Sequence, residues 1–512
     1  MGRITAFVLA ILLIFSLCSC RTSREPYIPT GSGLVDDATT KPTGITVTDQ
    51  KLSLPYYPDR ALNPYTCTDY VNRSLLNLVY QGLFSVDSSY QVHPILCKNY
   101  RISRDMKTYT FYLERATFSD GSLLTANDVV ASLKKAKESG FYAGRFGNVR
   151  TVTATEDGGV QIQLTIPYEN LPLLLDVPIV KADQVSNPRP LGTGVYLFEG
   201  FDDNLWLHRR SEWWCNANVP LAYEYVTLTP AQGPAHLVDI FERGDSSLGM
   251  VVADPGSVNY ADFHGDSELW ESENGIFLYL ACNAGSKVFS VDAVRQALTY
   301  AVDRAGLAEQ FYRGFATPTV LPASPKSPVY AQGLASKITY DPEKLTAAVA
   351  EAGLTDTPVT LLVNASDGIR LRAARVLAQS LSQCGLKVTT SEQSEANFKK
   401  ALNNGNYDLY LGQTKLSPNM DLSAFFASKG ALSYGSMNDP VLYALCQDAM
   451  ANAGNFYTLY QKILQDGQLC PLLVRSYAVY ARRGVTASLI PARDCVFFYS
   501  LGKTMEQIKI PE

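Results

Sequence analysis

The chain has 512 residues, 46% of them apolar and 18% charged, with a formal net charge of −5. That length and apolar share are enough for large cores and for more than one domain. The mild acidity, and the lack of basic stripes with interleaved aromatics, exclude nucleic acid as a partner.

The first residues have the three parts of a secretion signal: one cation at Arg3, an apolar run from Ala6 to Leu17, and small residues before a cysteine. The run is shorter than the roughly 20 apolar residues of a spanning helix. Leu17-Cys18-Ser19-Cys20 resembles the bacterial lipobox. That resemblance implies that residues 1–19 are removed and that Cys20 carries a diacylglycerol, anchoring the protein on the outer face of the cytoplasmic membrane. Two acyl chains hold a protein where one holds it only marginally. Residues 20–43 are rich in Thr, Ser, Pro and Gly and cannot offset the entropy of ordering. They read as a tether with a reach of about 25–30 Å.

From Gly44 the pattern turns to alternation, in Ile45-Thr46-Val47 and Leu52-Ser53-Leu54, followed by a helical stretch from Tyr70 to Tyr80. The run Thr108–Leu113 alternates as a strand with Tyr109, Phe111 and Leu113 on one face. Ser119-Asp120-Gly121-Ser122 is a turn. Thr125 and Asp128 then start a helix that should reach about Glu138 and bury Val129, Val130 and Leu133. Strand-rich blocks follow over residues 149–164 and 195–228. The second half is more helical, over Val291–Phe311 and over Ile369–Cys384, the latter ending at Gly385 before the strand Leu386-Lys387-Val388. Mixed strands and helices throughout give an α/β architecture.

Beyond Cys18 and Cys20 lie eight widely spaced cysteines, at 67, 97, 215, 282, 384, 446, 470 and 495. Buried thiols are the favoured reading, and Cys446 with Cys470 is the preferred pair if any bridge forms. The four histidines, His93, His208, His236 and His264, have no partner motif. There is no HExxH or GxSxG, so a lipid-anchored hydrolase is the weakest reading and neither metal nor cofactor is expected.

Several spaced blocks resemble one family, the substrate-binding proteins of peptide- and nickel-type ABC importers, also described as solute-binding protein family 5. The longest, Tyr109 to Val129, is similar to that family's strand, FSDG turn and LTAxDV helix start. Leu62-Asn63-Pro64-Tyr65, Tyr80-Gln81-Gly82-Leu83, Gly192-Thr193-Gly194-Val195-Tyr196, the VRQALxxAxDR block Val294–Arg304, Tyr340-Asp341-Pro342-Glu343 and Tyr407-Asp408-Leu409 resemble its other motifs. Val195 replaces the usual proline, which matters little if the strand is an edge.

The resemblance implies a two-lobed periplasmic-binding-protein-like (Venus-flytrap) fold that closes on a ligand by a hinge. Residues 44–63, 191–288 and 472–512 would form lobe I, 64–190 an additional small domain on it, and 289–471 lobe II. It further implies a monomer delivering a small polar ligand, a peptide by family default, to an ABC permease. A ligand-sensing lipoprotein uncoupled from import is the alternative.

The family's cleft-facing segments nominate Asn63, Tyr65, Asn283, Gln413 and Lys415 as ligand-binding residues. For Asn63 the favoured reading is a turn former before Pro64, and for Asn283 a side chain tying its own loop. The resemblance breaks over Tyr410–Leu422. Peptide binders there carry a Trp and an acid that pairs with the ligand's amino group, whereas this chain has Gln413 and Lys415, with Asp421 as a later acid. A cation in place of a carboxylate would repel a peptide amino terminus, so an anionic or sugar-like solute is a rival to peptide.

Overall fold

The computed structural model describes residues 51–201, 204–215, 219–221, 223–243, 248–254, 267–485, 489–502 and 509–511. The expected signal, Cys20, the tether and the strand at Ile45–Val47 lie outside the described residues.

In the first lobe four strands lie in the order Leu52–Tyr56, Tyr225–Pro230, Asn204–Arg209, Tyr196–Phe201. The strand after Val195 is thus an edge, where a missing proline costs nothing. The helix Tyr70–Val79 is capped by the Asp69 carboxylate, which accepts from the amides of Val71 and Asn72. It buries Val71, Leu75, Leu76 and Leu78. Its C-terminal turn explains the two glycines of the return loop. A Cβ at Gly192 or Gly194 would run into the Val79 carbonyl, and the Gly194 amide donates to that carbonyl at 2.9 Å. The glycines permit a close backbone approach.

The small domain is a five-stranded sheet in the order Lys509–Pro511, Cys97–Ile102, Thr108–Leu113, Val160–Leu164, Val149–Ala154. Tyr109 and Phe111 are fully buried, with ring centroids 5.8 Å apart. Leu113, expected on the same face, is only partly buried. The helix Ala126–Lys137 starts as the motif predicts. One Asp128 oxygen accepts from the Thr125 amide and hydroxyl at 2.8 and 2.6 Å, and the other accepts from the Ala182 amide at 2.8 Å. Two domain boundaries differ from expectation. The C-terminal strand Lys509–Pro511 pairs in parallel with Tyr100–Ile102 of the small domain instead of staying in lobe I. The helix Tyr70–Val79, placed by sequence in the small domain, packs on lobe I strands.

A seven-stranded sheet connects the lobes. Its main path runs Met250–Ala253, Leu469–Arg482, Ser267–Cys282, Leu409–Lys415, Pro358–Asn364, Lys387–Gln393. The two long strands are antiparallel partners along most of their length. Ser267–Glu273 pairs with Ser476–Arg482 on the lobe I side, and Phe277–Ala281 pairs with residues 469–474 on the lobe II side. Between these halves the register slips around Asn274, Gly275 and Ile276, and Gly275 takes φ +67°. A bulge there bends the strand and adds twist, at the point where the chain passes from one lobe to the other.

Lobe II packs helices on this sheet over an apolar core that includes Val294, Leu298, Leu307, Leu361, Leu377 and Leu409. The helix Gly368–Gln383 matches expectation. The single helix expected over Val291–Phe311 is instead two, Asp292–Leu298 and Arg304–Tyr312. Asp303 interrupts it by capping the second helix, accepting from the Gly306 amide at 2.9 Å. All eight described cysteines are free thiols, so Cys446 and Cys470 are not bridged. Among the described residues no helix is long and apolar enough to cross a membrane.

Candidate functional site

Charged side chains from four distant parts of the sequence converge where the small domain, the C-terminal segment and lobe II meet. Asp494 is the hub. Its Oδ1 accepts from the Lys415 ammonium at 2.6 Å, and its Oδ2 from Arg493 and, at 3.5 Å, from Arg145. Arg145 also pairs with Asp176, whose other oxygen lies 3.8 Å from Arg493. Lys415, the last residue of the strand Leu409–Lys415, reaches back to donate to the Asn274 carbonyl in the bulge. Its ammonium lies 4.8 Å from the Phe141 ring centroid. One lysine from lobe II thereby touches the hinge, the small domain and the C-terminal segment.

Arg73, on the helix Tyr70–Val79, completes the group. It donates to the Cys67 carbonyl at 2.9 Å and to the Tyr142 hydroxyl at 2.8 Å, and its guanidinium carbon lies 3.3 Å from the Phe141 ring centroid. Burial alone would raise the Asp494 carboxyl, but Arg493, Lys415 and Arg145 outweigh it and hold the group well below the usual carboxylate range. For Lys415 burial wins: it is lowered to about 8 despite the pull of Asp494.

A second group sits nearby on the sheet. Arg475 donates to the Gln413 Oε1 at 2.9 Å and pairs with Asp254. Tyr477, two residues on, stacks on Tyr70 at 5.0 Å between centroids.

The residues nominated from sequence divide accordingly. Lys415 is in the cluster and Gln413 in the neighbouring group. Lys415 is not a freely solvated lysine, since its side chain is 26% exposed and ion-paired. Asp421 lines a narrow crevice with Asn419 and Tyr168, between lobe II and the small domain, and its carboxylate accepts from the Ser423 amide at 2.8 Å. The other three are held by their own surroundings. Asn63 donates to the carbonyls of Val185 and Asn187 and accepts from the Tyr65 amide. Tyr65 is buried, with its hydroxyl on the Pro178 carbonyl. Asn283 donates to the carbonyls of Gly405 and Tyr407. None of these three makes a hydrogen bond to the charged cluster; the side-chain oxygens of the two asparagines accept locally, from the Tyr65 and Gly285 amides, while their amide groups tie segments more than 120 residues away.

Sequence reasoning missed Arg73, Arg145, Asp176, Arg493 and Asp494. One signal was present: Arg493-Asp494 is a charged pair inside the otherwise apolar stretch from Leu489 to Phe498, which is a mark of paired burial.

The sequence pattern of the bacterial extracellular solute-binding proteins, family 5 (middle region), matches residues 91–433. This chain belongs to that family. A family relative, the glutathione-binding protein GsiB of Salmonella choleraesuis (strain SC-B67), is 26% identical over 342 residues, covering 64% of this chain and 66% of its own length. The fold has solved counterparts. NikA from Brucella suis, in complex with Fe(III)-EDTA, aligns with a TM-score of 0.73 at 19% identity, over 88% of this chain and 98% of that one. The oligopeptide-binding protein AppA from Bacillus subtilis, in complex with a nonapeptide, gives 0.63 at 20%, over 89% and 97%. The family 5 architecture, mixed α/β with two lobes and an added domain, is therefore that of this chain. No group of three or more potential metal ligands occurs among the described residues.

Proposed function

We propose that this family 5 protein is the solute-capturing lipoprotein of an ABC importer, tethered outside the cytoplasmic membrane through Cys20. On this reading it holds a small polar solute between its lobes and presents the closed form to a membrane permease. The observation that carries the reading is the Lys415–Asp494 contact, which joins lobe II to the opposite wall beside the strand bulge. A contact of that kind, made on closing and lost on opening, is what a hinge protein needs if a ligand is to shift its equilibrium. Peptide is the family default, and the GsiB relative is a glutathione binder by name.

The test uses Cys20→Ser in the full chain. It should leave the membrane fraction with solute affinity unchanged, and a thermal-shift screen of peptides, sugars and anions should find a ligand that is recovered chemically intact. Turnover of the hit would sink the binding reading. A loss of affinity in the variant would make the tether part of the site.

A further inference from the structure

The charges of the cluster do not balance. Arg145, Arg493 and Lys415 all draw on Asp494, and two of them share Asp176. A third acid, Glu273, is 2% exposed and near Arg493, but its oxygens accept from the Tyr90 hydroxyl at 2.7 Å and the Ser324 hydroxyl at 2.9 Å. Burial pushes the Glu273 carboxyl up, toward its neutral form, against the hydrogen bond from Tyr90. Even with Glu273 ionised, four cations face three carboxylates.

Arg73 is the cation left over. Both hydrogen-bond acceptors of its fork, the Cys67 carbonyl and the Tyr142 hydroxyl, are neutral. It forms no ion pair among the described residues. Arg73 also lines a cavity of 60 Å³ with Tyr142, Arg145, Asp494 and Gln81. Gln81 is 3% exposed; its Oε1 accepts from the Trp214 indole at 3.0 Å, while its buried Nε2 makes no hydrogen bond of normal geometry and has the Tyr499 hydroxyl as its one neighbouring acceptor among the described residues. A buried amide donor and an unpaired guanidinium therefore open on one space. At about 30 Å³ of liquid per water that space holds roughly two waters, which fits a carboxylate or phosphate head and not an extended peptide.

We propose that this cavity receives an oxyanion, carboxylate or phosphate, of a compact anionic solute, with Arg73 as its anchor and Gln81 as a second donor. The proposal rests on the solute-binding reading above and names the class of solute. A carboxylate or phosphate matches the guanidinium fork two oxygens to two N–H groups. An incoming ammonium would face Arg73 and find both cavity acids already shared among three cations.

The experiment is titration calorimetry on the Cys20→Ser chain with three probes: citrate, inorganic phosphate, and trialanine with a free amino terminus. The unfolding midpoint serves as the check on folding. Citrate or phosphate should bind, more weakly as salt rises, and whichever wins tells a carboxylate site from a phosphoryl one. Arg73→Gln should weaken that binding by about tenfold or more, Arg73→Lys by less, and Gln81→Glu should abolish it with an unchanged midpoint. Should Arg73→Gln fail to fold, Gln81→Glu decides, and undiminished anion binding in it overturns the proposal. Binding of trialanine without either anion also overturns the proposal but leaves solute capture standing. If none of the three probes binds, the anionic assignment falls, and solute capture falls with it only when the wider thermal-shift screen is empty too.

Discussion

Arg304, in lobe II, is 7% exposed and has every arm of its fork filled: Nε on the Pro471 carbonyl at 2.8 Å, Nη1 on the Thr299 carbonyl at 2.8 Å, Nη2 on the Thr299 hydroxyl at 2.9 Å and the Cys470 sulfur at 3.5 Å. Arg493, where the lobes meet, is 1% exposed, pairs with Asp494 and Asp176, and keeps a buried Nε with no acceptor. A buried guanidinium surrounded by neutral acceptors fixes one arrangement of the chain. One held by carboxylates that also serve other cations belongs to a set that can be redistributed when a ligand or a lobe moves. The first is a staple within a lobe, and the second is part of a contact between lobes.

The largest effect should come from breaking the staple. Arg304→Met strands buried acceptors on Thr299 and Pro471, each costing about 1–3 kcal/mol, so a loss of about 3–5 kcal/mol is expected in urea unfolding. Affinity per folded molecule should not change. A loss below about 1 kcal/mol, or a matching loss of affinity, would erase the distinction between the two arginines.

Asp494→Asn comes next. It leaves Lys415 without its carboxylate and Arg493 and Arg145 on Asp176, with only the raised Glu273 besides, and should cost about 2–4 kcal/mol at neutral pH. The folded-state carboxyl is held below its unfolded value, so its contribution is present above about pH 4 and is lost as pH falls further. The stability gap between the natural chain and Asp494→Asn should therefore narrow on acidification below about pH 4. A gap that stays constant down to pH 2 would mean that Asp494 is not the hub.

The same contrast marks what the sequence could convey. Local chemistry was readable: the Thr125 and Asp128 helix start, the alternation over Thr108–Leu113, and the glycines 192 and 194, although their partner at Val79 was not. Arg304 lies in a motif block, yet its neighbour Asp303 was read as helix interior when it caps a second helix. The charged cluster and its neighbouring group were legible only at Gln413 and Lys415, where a familiar pattern broke. Arg73 and Arg145 are single charges tens of residues apart, and each taken alone looks like part of a solvated surface, while the Arg493-Asp494 pair signals burial without showing its partners. Only the bulge at Asn274–Ile276 and the return of the C-terminal segment bring them together, and neither leaves a local periodic signal.

The smallest effect in stability, and the one that separates stability from closure, belongs to Lys415. Lys415→Met should change stability by less than about 1 kcal/mol at pH 7, because the loss of a desolvated ammonium offsets the loss of its bond to Asp494, which keeps two arginines. The natural chain should nonetheless respond to pH in a way the variant does not. With the folded-state ammonium lowered to about 8 and the unfolded one near 10.4, the unfolded chain binds the extra proton between those values. Stability of the natural chain relative to Lys415→Met should then rise from about pH 8 to pH 10. Over the same range the neutral amine no longer answers the Asp494 charge, so the tie between lobe II and the C-terminal segment weakens, and X-ray scattering should record a larger radius of gyration than in the same protein at pH 7. Lys415→Met should show the larger radius already at pH 7. Parallel stability curves, or equal radii for the two proteins at pH 7, would place Lys415 outside the closing contact and return it to the ordinary surface lysines.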